Sequence, residues 1–214
     1  MGASSLHAES CRCEALEAST DGMTTQAKSH ATLRRLQRRI ERFYHLEETP
    51  DVREFVREAE VPEAREALLV RESDDGLELA LVVPRLRRAD HDCWLQFAEG
   101  VSHFVYVANR ARQELPATQL ELELQAEVDK FVLLVLEELP YDPAEAFETH
   151  ARLYERVRYL HDAGTELGER YRTANGLAAR FVRRLLGYRA EATHAALRRF
   201  YRAGQADKIR LAAA

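Results

Sequence analysis

The run Phe131-Val132-Leu133-Leu134-Val135-Leu136 constrains this chain more than any other feature, because six consecutive apolar residues cannot form the wet face of a surface helix. Glu123, Glu127, Asp129 and Lys130 stand immediately before it and must follow it into the interior. A buried charge is costly unless it is paired. Those residues therefore either neutralise one another or hold something else.

At 214 residues the chain is long enough for a sizeable core and is read as a disordered tail over 1–26 followed by one globular domain over 27–214. The tail is rich in Ala, Ser, Thr and Glu without an apolar period. The longest uncharged stretch of the whole chain, Gly100 to Asn109, falls well short of the roughly 20 apolar residues a spanning helix needs. With no secretory leader in the first residues, the expected location is cytoplasmic, with no membrane partner. Three cysteines, Cys11, Cys13 and Cys93, argue for reduced thiols rather than a disulfide framework.

The expected fold class is α+β, mostly α: a multi-helix antiparallel bundle with one N-terminal β-hairpin. Leu33, Leu36, Ile40, Phe43 and Tyr44 recur at helical spacing within 28–48, with Arg34, Arg35, Arg38, Arg39 and Arg42 between them. A short helical or irregular piece should follow over 51–59. The hairpin is read at about residues 67–84, turning on Asp75-Gly76. That turn sets Leu68 opposite Val83, Val70 opposite Leu81 and Glu72 opposite Leu79, and gathers the leucines and valines on one face.

Five helices should complete the bundle, over 94–114, 118–139, 142–163, 165–186 and 189–202. Thr118 and Glu121 form a capping box, Asp142-Pro143 opens the next helix, and Thr165 caps the one after it.

The candidate metal or acid/base site is built from Glu99 and His103, one turn apart, and Glu123 and Glu127, one turn apart on the following helix. If the two helices form a hairpin, the stripes converge on a possible divalent-metal site. Tyr106 and Arg110 continue the first stripe. The competing explanation is pairing within each helix, such as Glu127 with Lys130.

His150 and His161 lie too far apart along one helix to share an ion, although one of them can face His103 across the bundle. A lone Glu191-x-x-His194 falls short of the paired motif of a carboxylate-bridged di-iron bundle. Cys93 beside His91 and Asp92 is a weak nucleophile and base pair. Metalloprotease, nucleophile-elbow, phosphate-loop and dinucleotide signatures are missing.

Charge is unevenly spread. Residues 165–214 carry net +7 and 27–45 net +5, against −14 over 46–164. The basic ends suggest nucleic-acid contacts through Arg34, Arg35, Arg38, Arg183, Arg184, Arg198 and Arg199, or internal complementarity with the acidic middle.

Three functions are thus open from sequence. The first is a helical adaptor, regulator or scaffold acting through a protein partner or self-association. The second is a metal-binding protein or metal-dependent enzyme, and the third is nucleic-acid binding. Whether the chain is an enzyme stays undecided at this level.

Overall fold

The computed structural model describes residues 26–58, 65–73, 76–84, 91–136 and 142–214. The expected tail, with Cys11 and Cys13, lies outside the described residues except for residue 26.

A first helix, α1 (26–44), buries Leu33, Leu36, Ile40, Phe43 and Tyr44, the five positions its spacing marks as apolar. It stops at His45, whose φ of 53° closes the end in the left-handed conformation, with the Leu46 N–H donating to the Glu41 carbonyl at 2.9 Å. The segment after it holds a short 3-10 turn, Val52–Glu54, and a strand not foreseen from sequence, β1 (Val56–Glu58).

Strands β2 (Ala67–Ser73) and β3 (Gly76–Val83) form the expected hairpin, and β1 joins β3 in parallel, giving a mixed sheet ordered β1-β3-β2. The pairing differs from expectation by two positions: Leu68 faces Leu81, Val70 faces Leu79 and Glu72 faces Leu77. Ser73 and Gly76 are the terminal pair, so the connection falls one residue earlier than Asp75-Gly76, and Gly76 takes its φ of 126° at the first paired position. A two-residue shift preserves which side chains share a face. Leu81 and Val83 are accordingly buried, while Val70 in the middle of β2 is 47% exposed.

The helices are α2 (His91–Arg112), α3 (Gln119–Phe131), α4 (Pro143–His150), α5 (Glu166–Leu185), α6 (Ala190–Arg202) and α7 (Gln205–Ala213). α3 and α4 each pass into a π-helical turn, Val132–Leu136 and Ala151–Glu155. The fourth helical segment therefore ends at Glu155 rather than near residue 163. α7 was not expected, because Ala203-Gly204 reads as the end of the last helix.

The three caps form as the sequence indicates. Thr118 accepts from the Glu121 N–H while Glu121 accepts from the Thr118 N–H at 2.9 Å, Asp142 accepts from Ala144, and Thr165 accepts from Gly168. Each contributes about 1 kcal/mol.

One apolar core extends from Leu33 in α1 to Ala212 in α7 and takes in Leu81, Val83 and the inner faces of α2, α3, α5 and α6. α2 packs on α3, α3 on α5, and α5 on α7, with β3 laid against α2. Gly100 makes that last approach possible: a Cβ there would meet Leu81 Cδ1 at 2.8 Å and Glu66 Oε2 at 3.0 Å. Glycine in mid-helix costs up to about 1 kcal/mol against alanine, and here it clears room for a leucine and a carboxylate. No helix among the described residues is long and apolar enough to cross a membrane.

Candidate metal centre

The one-turn spacing of Glu99 and His103 places both on the face of α2 that meets α3, and α3 returns Glu123 to the same place. One ligand atom from each of Glu99, His103 and Glu123 lies within 4.8 Å of the others, and all three residues are buried. His103 Nε2 is 3.8 Å from Glu123 Oε2, too far for a hydrogen bond, and among the described residues it has no hydrogen-bond partner. Burial pushes the imidazole down to about 4 against the pull of Glu99, with Lys130 acting in the same direction as burial. At neutral pH the ring is uncharged, which is the form that binds metal.

Two further residues complete the surroundings, and sequence reasoning missed both. Glu66, just before β2, is pushed up to about 9 by burial and by the neighbouring Glu99 and Glu123 carboxylates, and its Oε2 is buried without a partner. Arg170, in the second turn of α5, places Nε 3.9 Å from Glu123 Oε1, and that nitrogen too is buried without a hydrogen bond. Glu123 itself is pushed up to about 7, chiefly by burial and then by Glu99. No local pattern could reveal either partner, since Glu66 and Arg170 reach the site only through the packing of the sheet and α5.

Glu127 is placed differently from the expected four-residue set. It stands beside Lys130, whose ammonium lies 2.9 Å from Glu127 Oε1 and 2.8 Å from Glu99 Oε2. Lys130 thus pairs with Glu99 as well as Glu127, while Glu99, His103 and Glu123 still bring one ligand atom each within 4.8 Å of the others. Burial disfavours ionised Glu99, but Lys130 and then His103 outweigh it and hold that carboxyl below its ordinary range.

The cluster lies between two clefts. One, of about 870 Å³, is lined by His103, Glu123, Glu66 and Arg170 together with the apolar face of the hairpin. The other, of about 550 Å³, is lined by Glu99, Glu127, Lys130, Tyr159 and His161, and shares Glu66 and Tyr171 with the first.

The remaining candidates go elsewhere. Tyr106 donates to Glu121 at 3.2 Å, and Arg110 binds the Pro116 carbonyl at 2.8 Å, so that stripe ties the α2–α3 connection together. His150 Nε2 meets the Ala179 carbonyl, His161 stacks on Tyr171, and His194 packs edge-on against Phe43. Cys93 is buried and free of disulfides, whereas His91 and Asp92 are exposed.

Of the arginines considered for nucleic acid, Arg184 binds the Leu211 and Ala212 carbonyls and Arg198 the Phe43 carbonyl, so both cap helix ends. Arg34 faces Asp51 at 3.5 Å. Arg35, Arg38, Arg183 and Arg199 are exposed. No protein family, curated protein or solved structure matches the chain.

Proposed function

We propose that this chain binds a divalent transition-metal ion through Glu99, His103 and Glu123 and presents it, as a Lewis acid, to a substrate in the adjoining cleft. The observation that carries this reading is the convergence of three ligand atoms within 4.8 Å, one of them a buried imidazole nitrogen with no hydrogen-bond partner. One imidazole and two carboxylates suit zinc, manganese or ferrous iron better than calcium or magnesium, which prefer oxygen alone. Three protein ligands also leave a position for water or substrate, the pattern of catalytic rather than structural centres. A bound ion of this kind lowers the pKa of its water and polarises substrate oxygens.

Elemental analysis of protein expressed with supplemented zinc, manganese and iron tests the proposal. About one equivalent in the wild type, lost in His103→Gln and in Glu123→Gln, is expected. Metal-free wild type, or full occupancy in both variants, would contradict it.

A second reading, action through protein contacts, is favoured by one specific observation: β2 is an outer strand of the sheet, with Leu69 57% and Val70 47% exposed. Such an edge can accept a strand from a partner or a second copy. Light scattering at micromolar concentration separates this from a purely monomeric metal protein. A strict monomer that retains no partner would count against it.

A further inference from the structure

Among the buried polar atoms left without a hydrogen bond, Glu66 Oε2, His103 Nε2 and Arg170 Nε belong to residues lining the same 870 Å³ cleft. Buried donors and acceptors are almost always satisfied, so three side chains with an unfilled position around one space set this cleft apart, although the atoms themselves are sealed from solvent.

The two arginines lining this cleft are unlike. Arg110 is spent on the Pro116 carbonyl, at 3.0 and 2.8 Å, and on Glu121 at 3.6 Å. Arg170 has only the loose approach to Glu123 at 3.9 Å. Its guanidinium is the cation with capacity to spare, and a planar fork of N–H donors matches the oxygens of a carboxylate or phosphate.

The rest of the lining is of another kind. Leu68, Val70 and Leu77 of the hairpin line the cleft together with Val107 of α2, Leu122 of α3 and Leu115 in the connection between those helices. A space with an apolar body and one charged end fits a ligand of the same build. In the 550 Å³ cleft, three of the five cations are ion-paired, Lys130 with Glu99 and Glu127, Arg156 with Glu148 and Arg65 with Asp92, and Arg152 donates to Thr149.

We infer that the larger cleft receives an organic oxyanion with an aliphatic body, its charged head against Arg170 and its chain between the hairpin and α2–α3. Insofar as a metal ion would share the head group, this rests on the proposed centre, but Arg170 and the apolar walls stand independently of it.

Calorimetric titration of wild-type protein, metal-free and zinc-loaded, with octanoate, octyl phosphate and octanol tests the inference. At least one of the two oxyanions should bind tenfold or more tightly than octanol, and the tighter one names the head group. In the metal-free protein, Arg170→Gln should weaken oxyanion binding at least fivefold while leaving octanol affinity unchanged. Leu77→Trp, which narrows the cleft from a half-buried strand position, should weaken octanoate but not acetate, and serves if Arg170→Gln fails to fold. Octanol binding as tightly as octanoate, or an affinity indifferent to both substitutions, would overturn the inference. Should the protein hold no zinc, the metal centre fails, and the metal-free titration still decides the oxyanion question.

Discussion

Helix α3 carries two sets of buried polar groups on different faces, and they have been treated in opposite ways. On one face, Asp129 accepts from Tyr44 at 2.6 Å, from Gln125 at 2.8 Å and from Ser102 at 2.6 Å. Gln125 in turn accepts from Lys208, whose ammonium also donates to the Phe200 carbonyl at 2.9 Å and lies over the Phe200 and Tyr106 rings. Both Asp129 oxygens are engaged, and neither the 870 Å³ nor the 550 Å³ cleft is lined by Asp129, Gln125 or Lys208. On the other face, His103, Glu66 and Arg170, the neighbours of Glu123, each keep a buried polar atom without a hydrogen bond, and all four residues line one cleft. The first arrangement locks α1, α2, α3 and α7 together. The second leaves capacity for a ligand, and burial alone would not have distinguished them.

The largest expected effect that can break this contrast is on stability. Asp129→Ala strands three donors and removes the negative charge nearest the buried Lys208, and should cost about 3–5 kcal/mol in urea unfolding. Glu66→Gln and His103→Gln, at positions without hydrogen-bonded partners to strand, should stay within about 1 kcal/mol of the metal-free wild type. Equal losses at the two faces would erase the distinction.

Next in size is stabilisation by an ion. A ligand that binds only the folded state at a hundred times its Kd adds about 2.7 kcal/mol. Zinc or manganese should raise the melting temperature of the wild type accordingly, and leave Glu99→Gln and His103→Gln unmoved.

A smaller effect separates the faces by pH. Burial pushes the Lys208 amine down to about 7 against the pull of Asp129, below its ordinary value of 10.5. Between those two pH values the unfolded chain holds a proton that the folded chain has released, so this group makes the protein more stable as pH rises from 7 towards 10.5. Lys208→Met should therefore compare best with the wild type below pH 7 and progressively worse up to pH 10, by urea midpoints at pH 6, 8 and 10. A constant offset would mean the amine titrates normally.

Smallest is a backbone effect remote from both faces. His45 and Glu114 end their helices at φ of 53° and 54°. Replacing either with glycine should stabilise by about 0.5–1 kcal/mol in the same assay, since glycine meets no Cβ penalty there.

Much of this was legible in the sequence because it is local. Caps at Thr118, Asp142 and Thr165 need only neighbours three residues away, and α1's apolar spacing fixes which side it buries. Glu99, His103 and Glu123 come together because turn-spaced stripes on consecutive packed helices meet. Glu127 pairs with Lys130 instead of joining them, a choice that depends on rotamers rather than spacing. Glu66, Arg170 and Lys208 were invisible for a different reason: each enters from an element far along the chain, and nothing local says that a lysine in the last helix will be fully buried. Likewise β1 is three residues long and exists by pairing with β3, and the π-helical turn after α4 leaves no mark in residue periodicity.

The account stands most directly on titration of the metal-free protein with zinc. It predicts saturable binding of one ion per chain, weakened at least tenfold in His103→Gln and unchanged in Asp129→Asn, the conservative change on the saturated face. No binding at all, or equal affinity in the wild type and His103→Gln, would contradict it.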